Sequence, residues 1–254
     1  CATEDNWKYF WKLPGVRRTL EREFAKVGKI ARELDVRLSF HPGQFVVLAS
    51  NNPDVVQRSI EEFEYHVDMA KWMGFGRKFQ DFKINVHISG RKGPQGIKDA
   101  LKRLSPEAKN TITIENDEIS WGFDSSLELA DDLALVLDIH HHFIKTGEYI
   151  DAKSDAVKRM HDSWRGVRPV IHYSVSPETV LVDHAQDIAP CLNTLLESGY
   201  NKQKLRKHSN FYWNHAVNDW ALTFWDDHDI QCESKAKNLA SFALFDYAKK
   251  VKKI

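Results

Sequence analysis

The run Ala134-Leu135-Val136-Leu137-Asp138-Ile139-His140-His141-His142 passes directly from apolar side chains to a carboxylate and three imidazoles. A short apolar run bounded by polar residues fits a strand buried on both faces, the pattern of a parallel sheet. The polar cluster then falls at the strand's C-terminal end. In an α/β barrel that end builds the active site, and Asp with His at such short spacing suits a divalent metal. Alternation puts Asp138 and His140 on one side of a regular strand, so His141 joins Asp138 only where the strand bends into its loop. Alone, such a strand would also fit a solvated His-rich end, but the pattern recurs.

Short strands are expected at residues 36–41, 82–90, 111–117, 167–174 and 229–233, bringing His41, His87, Glu115, His172 and Glu233 to the same end. Helical spacing of apolar residues marks 16–34, 53–74, 97–104, 152–164 and 236–251, with a further helix at 125–133 capped by Ser125. Ahead of the first helix stand Trp7, Tyr9, Phe10, Trp11 and the turn Pro14-Gly15. Alternating strands and helices predict a parallel sheet with right-handed connections. Strand ends that converge on one point predict an α/β fold of the TIM-type (β/α) barrel. Such a barrel has eight strands, and no convincing pair precedes Val36. The chain is therefore expected to lack the first two βα units, with residues 1–254 forming one metal-dependent barrel domain.

Thirty-six Lys and Arg balance 36 Asp and Glu, so an anionic partner must be held by a local basic face or by bound metal. The three cysteines, Cys1, Cys191 and Cys232, are too few and too scattered for a disulfide framework or a thiolate zinc site. No apolar run approaches a membrane span, and no signal peptide is visible, so an intracellular location and no membrane partner are expected. The opening at Cys1 reads as a processed form or a fragment.

His41, His87, Glu115, Asp138, His141, His172 and Glu233, with His184 soon after the fifth of the six strands, are the candidate ligands. Imidazole and carboxylate without thiolate suit zinc or manganese, and this many ligands imply two or three ions. Clustered divalent ions clamp the attacking and leaving oxygens of an in-line displacement at phosphorus, so phosphodiester hydrolysis is the expected chemistry.

These segments resemble the UV damage endonuclease family, whose barrel is related to that of endonuclease IV. The resemblance rests on His41-Pro42-Gly43-Gln44-Phe45, Ser59-Ile60, Tyr65-His66, Met73-Gly74, Val86-His87-Ile88-Ser89-Gly90, Ile114-Glu115-Asn116-Asp117, Asp138-Ile139-His140-His141, Ile171-His172-Tyr173-Ser174, His184 and Glu233-Ser234-Lys235. It implies a manganese-dependent endonuclease, with zinc or magnesium as alternatives, that nicks duplex DNA 5′ of ultraviolet photoproducts and leaves a 3′-hydroxyl and a 5′-phosphate. Its partner would be duplex DNA carrying UV lesions, and the protein would act as a monomer. By the same resemblance His41, His87, Glu115, Asp138, His141, His172, His184 and Glu233 are metal ligands. Glu115, Asp138, His172 and Glu233 are the catalytic members, and Glu115 bridges two ions. Gln44 and Phe45 match a Gln-Tyr pair inserted at the lesion; Phe45 keeps the stacking face and loses the hydroxyl.

Two positions depart from the family. Val170 stands where the family has a lysine that can be carboxylated, and residues 1–36 contain no counterpart of an upstream ligating His. Two other readings stand beside the endonuclease: a sugar isomerase or epimerase of the xylose isomerase type, and a non-catalytic lesion binder. His66 is expected to be a packing residue, and His140 and His142 are second-sphere or solvated. His161, His208, His215 and His228 have no strand-end placement. Lys249, Lys250, Lys252 and Lys253 read as a solvated helix end. Lys92, Lys98, Lys102 and Arg103 are ordinary exposed cations or phosphate contacts, and Trp121 is a candidate for base stacking. Residues 201–227 interleave basic and aromatic side chains, as either a nucleic-acid wall or a cover over the barrel.

Overall fold

The computed structural model describes residues 10, 11, 13 and 15–252. Cys1, Trp7, Tyr9, Pro14 and Lys253 lie outside them. The chain divides into two compact units. One takes the described residues up to Glu115 with Asp124–Leu135 and Ser163–Val167; the other takes Asn116–Phe123, Val136–Asp162 and Arg168 onward.

The first unit runs α1 (Val16–Glu33), β1 (Ser39–Phe40), α2 (Pro53–Trp72), β2 (Lys83–His87), α3 (Gly93–Leu101), α4 (Pro106–Thr111) and β3 (Ile112–Glu115). The three strands are parallel, with Phe40 opposite Ile84 and His87 opposite Glu115. Helix α2 starts cleanly because the Asn52 side chain accepts the Asp54 N–H at 2.9 Å and Pro53 occupies the first turn. Its buried Ile60, Phe63, Val67 and Ala70 recur at helical spacing. Helix α1 closes on the far end of α2, where Arg32 Nη1 donates to the Met73 carbonyl at 2.8 Å. Gly28 packs so closely under the same carbonyl that a side chain there would collide with it.

Two sequence expectations are corrected in this unit, and one helix is added. The helix expected at 97–104 is α3, which begins at Gly93 because Pro94 fits a first turn. Helix α4 was not anticipated; Ser105 starts it by accepting the Ala108 N–H at 3.1 Å. The helix expected at 125–133 is α5 (Phe123–Leu127), so Ser125 lies inside it and does not cap it.

The second unit completes β4 (Ala134–Asp138) and continues with α6 (Ile139–Thr146), α7 (Asp155–Asp162), β5 (Val170–Tyr173), α8 (Leu192–Glu197), α9 (Lys202–Leu205), α10 (His215–Ala221), β6 (Asp229–Cys232) and α11 (Asn238–Lys252). These strands are also parallel: Asp138 stands opposite His172, and Tyr173 opposite Cys232. Strands β3, β4 and β5 are buried throughout, whereas β1 and β6 are partly exposed. The Arg168 guanidinium ties the start of β5 to the start of β6. It donates to Asp229 Oδ1 at 2.8 Å and to the carbonyls of Trp225, Asp226 and His228.

Between β5 and β6 the aromatic residues mostly cover the fold. Tyr212 and Phe224 are buried, and the indole N–H groups of Trp213 and Trp220 donate to the carbonyls of Ser176 and Ile150 at 2.8 Å. Phe211 stays 43% exposed. Among the described residues no helix is long and apolar enough to cross a membrane.

Candidate metal ligands

In the first unit His87 and Glu115 are the last residues of adjacent strands and stand opposite one another, and His41 follows β1 directly. Glu115 is fully buried. Its Oε2 accepts from Asn85 Nδ2 and lies 3.2 Å from His41 Nε2, while Asn85 Oδ1 accepts from Thr113 Oγ1 at 2.7 Å. The carboxylate is thus aimed before any ligand arrives. His41 Nδ1 donates to the Pro42 carbonyl at 3.1 Å, since a carbonyl can only accept. The His41 and His87 rings are 5.1 Å apart, and each offers a nitrogen within 4.8 Å of a Glu115 oxygen.

In the second unit β4 ends at Asp138 and α6 begins with the next residue, so the three imidazoles occupy a helical turn. Asp138 Oδ1 accepts the His141 N–H at 2.7 Å, and the cap brings His141 Nδ1 within 3.6 Å of Asp138 Oδ2. The Asn116 amide clasps the Asp138 backbone: Asn116 Nδ2 donates to the Asp138 carbonyl at 3.0 Å, and Oδ1 accepts its N–H at 2.8 Å. His172 Nδ1 stands 3.0 Å from Glu233 Oε1, and the Glu233 backbone N–H donates to the Tyr173 carbonyl at 2.9 Å. One ligand atom from each of Asp138, His172 and Glu233 lies within 4.8 Å of the other two. Asp138 and His172 are buried. This donor set fits a divalent ion: carboxylate and imidazole gathered where water is scarce, with their partners already placed.

His184 joins neither set. It is half-buried beyond β5, its Nδ1 lies 2.9 Å from the Ala185 carbonyl, and its ring is 6.2 Å from that of Trp213. Gln44 and Phe45 form the tip of a turn closed by the Val46 N–H on the Gly43 carbonyl at 3.1 Å. Phe45 is 68% exposed there, beside an open cavity of about 670 Å³ that Arg58 and Glu62 of α2 also line.

The remaining candidates have structural partners. His66 Nδ1 meets the Glu62 carbonyl at 2.7 Å and packs on Phe40 and Tyr65. His140 and His142 are buried, which excludes the solvated reading, and burial with neighbouring His141 and His208 pushes the His140 imidazole down to about 3. Lys98 and Lys102 pair with Asp132 and Asp99, and Arg103 bonds Gln57. Trp121 is half-buried in the loop after β3. Three polar residues escaped sequence reasoning: Asn85, Asn116 and Glu118. The available signal was a polar residue at Asn85, two positions before His87 on a buried strand and hence on the same face.

Parallel strands joined through helices, with acid and imidazole gathered at their C-terminal ends and no thiolate, define an α/β protein of the TIM-barrel class fitted to hold divalent metal. The UV-endonuclease UvdE family profile matches residues 8–254, and the chain belongs to that family.

Its relatives include the UV DNA damage endonuclease of Bacillus velezensis, 29% identical over 65% of this chain and 53% of the relative. They also include the UV-damage endonuclease of Schizosaccharomyces pombe, 29% identical over 74% of this chain and 34% of the relative. The chain thus spans about half the length of the first and a third of the second. The crystal structure of SacUVDE superposes with a TM-score of 0.71 at 25% identity, covering 96% of this chain and 74% of that one. A xylose isomerase domain protein from Planctomyces limnophilus shares the fold alone, with a TM-score of 0.53 at 14% identity over 92% of this chain and 84% of the other.

Proposed function

We propose that the chain is a DNA repair endonuclease that hydrolyses a phosphodiester 5′ of UV photoproducts in duplex DNA, using two or three manganese ions. The observation that carries this reading is the approach of Asp138, His172 and Glu233 ligand atoms to within 4.8 Å of one another in a chain of the UvdE family. His41 and His87, each with a nitrogen within 4.8 Å of a Glu115 oxygen, add further candidate ligands, and all of these residues lie at or just beyond C-terminal strand ends, where barrels of this class do their chemistry. Bound divalent ions would supply a hydroxide at neutral pH and neutralise charge at phosphorus. The chain's own residues aim the ligands: Asn85 holds Glu115, and Asn116 holds the Asp138 backbone. Phe45 offers an exposed aromatic face for wedging at a distorted base step, with Gln44 beside it for polar contact.

The test is incision of a duplex oligonucleotide bearing one cyclobutane pyrimidine dimer, with manganese, with chelator, and beside an undamaged duplex. A cut just 5′ of the dimer that chelator abolishes supports the reading; no cut, or equal cutting of both duplexes, overturns it. A second reading, a non-catalytic lesion binder, is favoured by Val170, which is 5% exposed and shares the strand face of His172. It predicts manganese and damaged-DNA binding without incision.

A further inference from the structure

Glu118 lies in the loop after β3, three residues beyond the family's Glu115, and neither the sequence pattern nor the family resemblance gives it a role. Its side chain is only 14% exposed, and its two oxygens face different partners. Oε1 accepts from Arg206 Nη1 at 2.9 Å, and Oε2 stands 3.7 Å from His141 Nε2. The other nitrogen of that ring, Nδ1, lies 3.0 Å from the Asn116 carbonyl. A carbonyl only accepts, so Nδ1 carries a hydrogen, which leaves Nε2 as the ring atom turned to Glu118. An imidazole nitrogen and a carboxylate oxygen therefore face one another at a separation too long for a hydrogen bond. The span suits two ligands of one cation, each about 2.1 Å from it.

We propose that Glu118 is a further metal ligand, sharing a divalent cation with His141 through Oε2, and that Arg206 is its positioning residue. Arg206 suits that role because a guanidinium directs its bond along a fixed axis and cannot lose its charge. It holds Oε1 and leaves Oε2 turned toward the imidazole. Arg206 ends the short helix α9, within the basic segment Lys202 to His208, so the contact also ties that segment to the ligand.

The inference rests on the metal-dependent reading above, and the experiment separates the two. Manganese binding to the whole chain is measured by calorimetry and by the electron paramagnetic resonance of the bound ion, for the parent, Glu118→Gln, Glu118→Asp and Arg206→Met. Circular dichroism and thermal unfolding in chelator report the fold of each. Glu118→Gln should weaken one class of bound ion by at least about 10-fold and alter its spectrum, Glu118→Asp should restore part of the affinity, and Arg206→Met should weaken it several-fold. If the parent binds no manganese, the metal-dependent reading fails and this one with it. If the parent binds manganese and Glu118→Gln binds with the same affinity, stoichiometry and spectrum, only the assignment of Glu118 is overturned. Should Glu118→Gln not fold, an unchanged affinity in Glu118→Asp and Arg206→Met together overturns it instead.

Discussion

The carboxylate of Asp138 accepts the backbone N–H of His141 at 2.7 Å, so one residue ends strand β4, caps helix α6 and stands among the ligand atoms. The two duties separate by substitution. Asp138→Asn keeps an oxygen for the cap and loses the anion, so it should retain stability while manganese affinity falls at least about 10-fold. Asp138→Ala loses the cap too and should unfold at lower urea, by about 1 kcal/mol. Calorimetric titration and urea denaturation of both variants check this; equal stability would show that the cap contributes nothing.

Glu115 is fully buried and accepts from Asn85. Glu115→Gln should abolish incision with the far-ultraviolet circular dichroism unchanged. Asn85→Ala removes only the residue that aims the carboxylate, and about a 10- to 100-fold loss of metal affinity is expected. Full activity in Glu115→Gln would remove Glu115 from the chemistry, and full metal affinity in Asn85→Ala would show that the carboxylate needs no aiming.

Phe45 presents its ring to solvent at the tip of the turn that follows His41. Phe45→Ala should leave manganese binding intact and weaken binding to a dimer-containing duplex by about 1–3 kcal/mol. Phe45→Tyr should bind as well as the parent. Competition between damaged and undamaged duplex reads the effect, and a parallel loss on both would place Phe45 in general rather than lesion-directed binding.

The pH dependence of stability has a definite sign. Burial lowers the His140 imidazole from 6.5 to about 3, and burial with neighbouring His161 lowers that of His228. The unfolded chain then binds more protons, so stability is complete above about pH 6.5 and falls as acid is added. His140 alone should remove about 2 kcal/mol by pH 5, following the unit-to-energy conversion for a pKa shift. Urea midpoints of the metal-free chain between pH 7.5 and pH 5 measure the slope, and His140→Leu should flatten it.

Periodicity marked the six strands and the long helices because β2 and β3 alternate apolar with polar residues, β4 is a nearly unbroken apolar run, and α2 repeats its buried positions at helical intervals. It failed where too few residues carried it: α4, α8 and α9 have six, six and four residues, and local caps such as Ser105 and Asn201 start α4 and α9. The strand-end positions of the candidate ligands were legible for the same reason as the strands. The relation of Asp138 to His141 was legible only in part, since strand alternation separates them and the immediate turn into α6 brings them together. Asn85, Asn116 and Glu118 were not legible, because their roles come from hydrogen bonds to partners 30, 22 and 88 residues away.

Arg168 ties the beginnings of β5 and β6 at the opposite end of those strands from His172 and Glu233. With the register between the two strands pinned there, the imidazole and carboxylate are held side by side by the scaffold itself. Loading an ion then requires no ordering of the polypeptide, in contrast to small domains that exist only in their metallated form. Under the proposed metal dependence, apoprotein and holoprotein should share one backbone, and metal scarcity would silence the activity without exposing the chain to proteolysis.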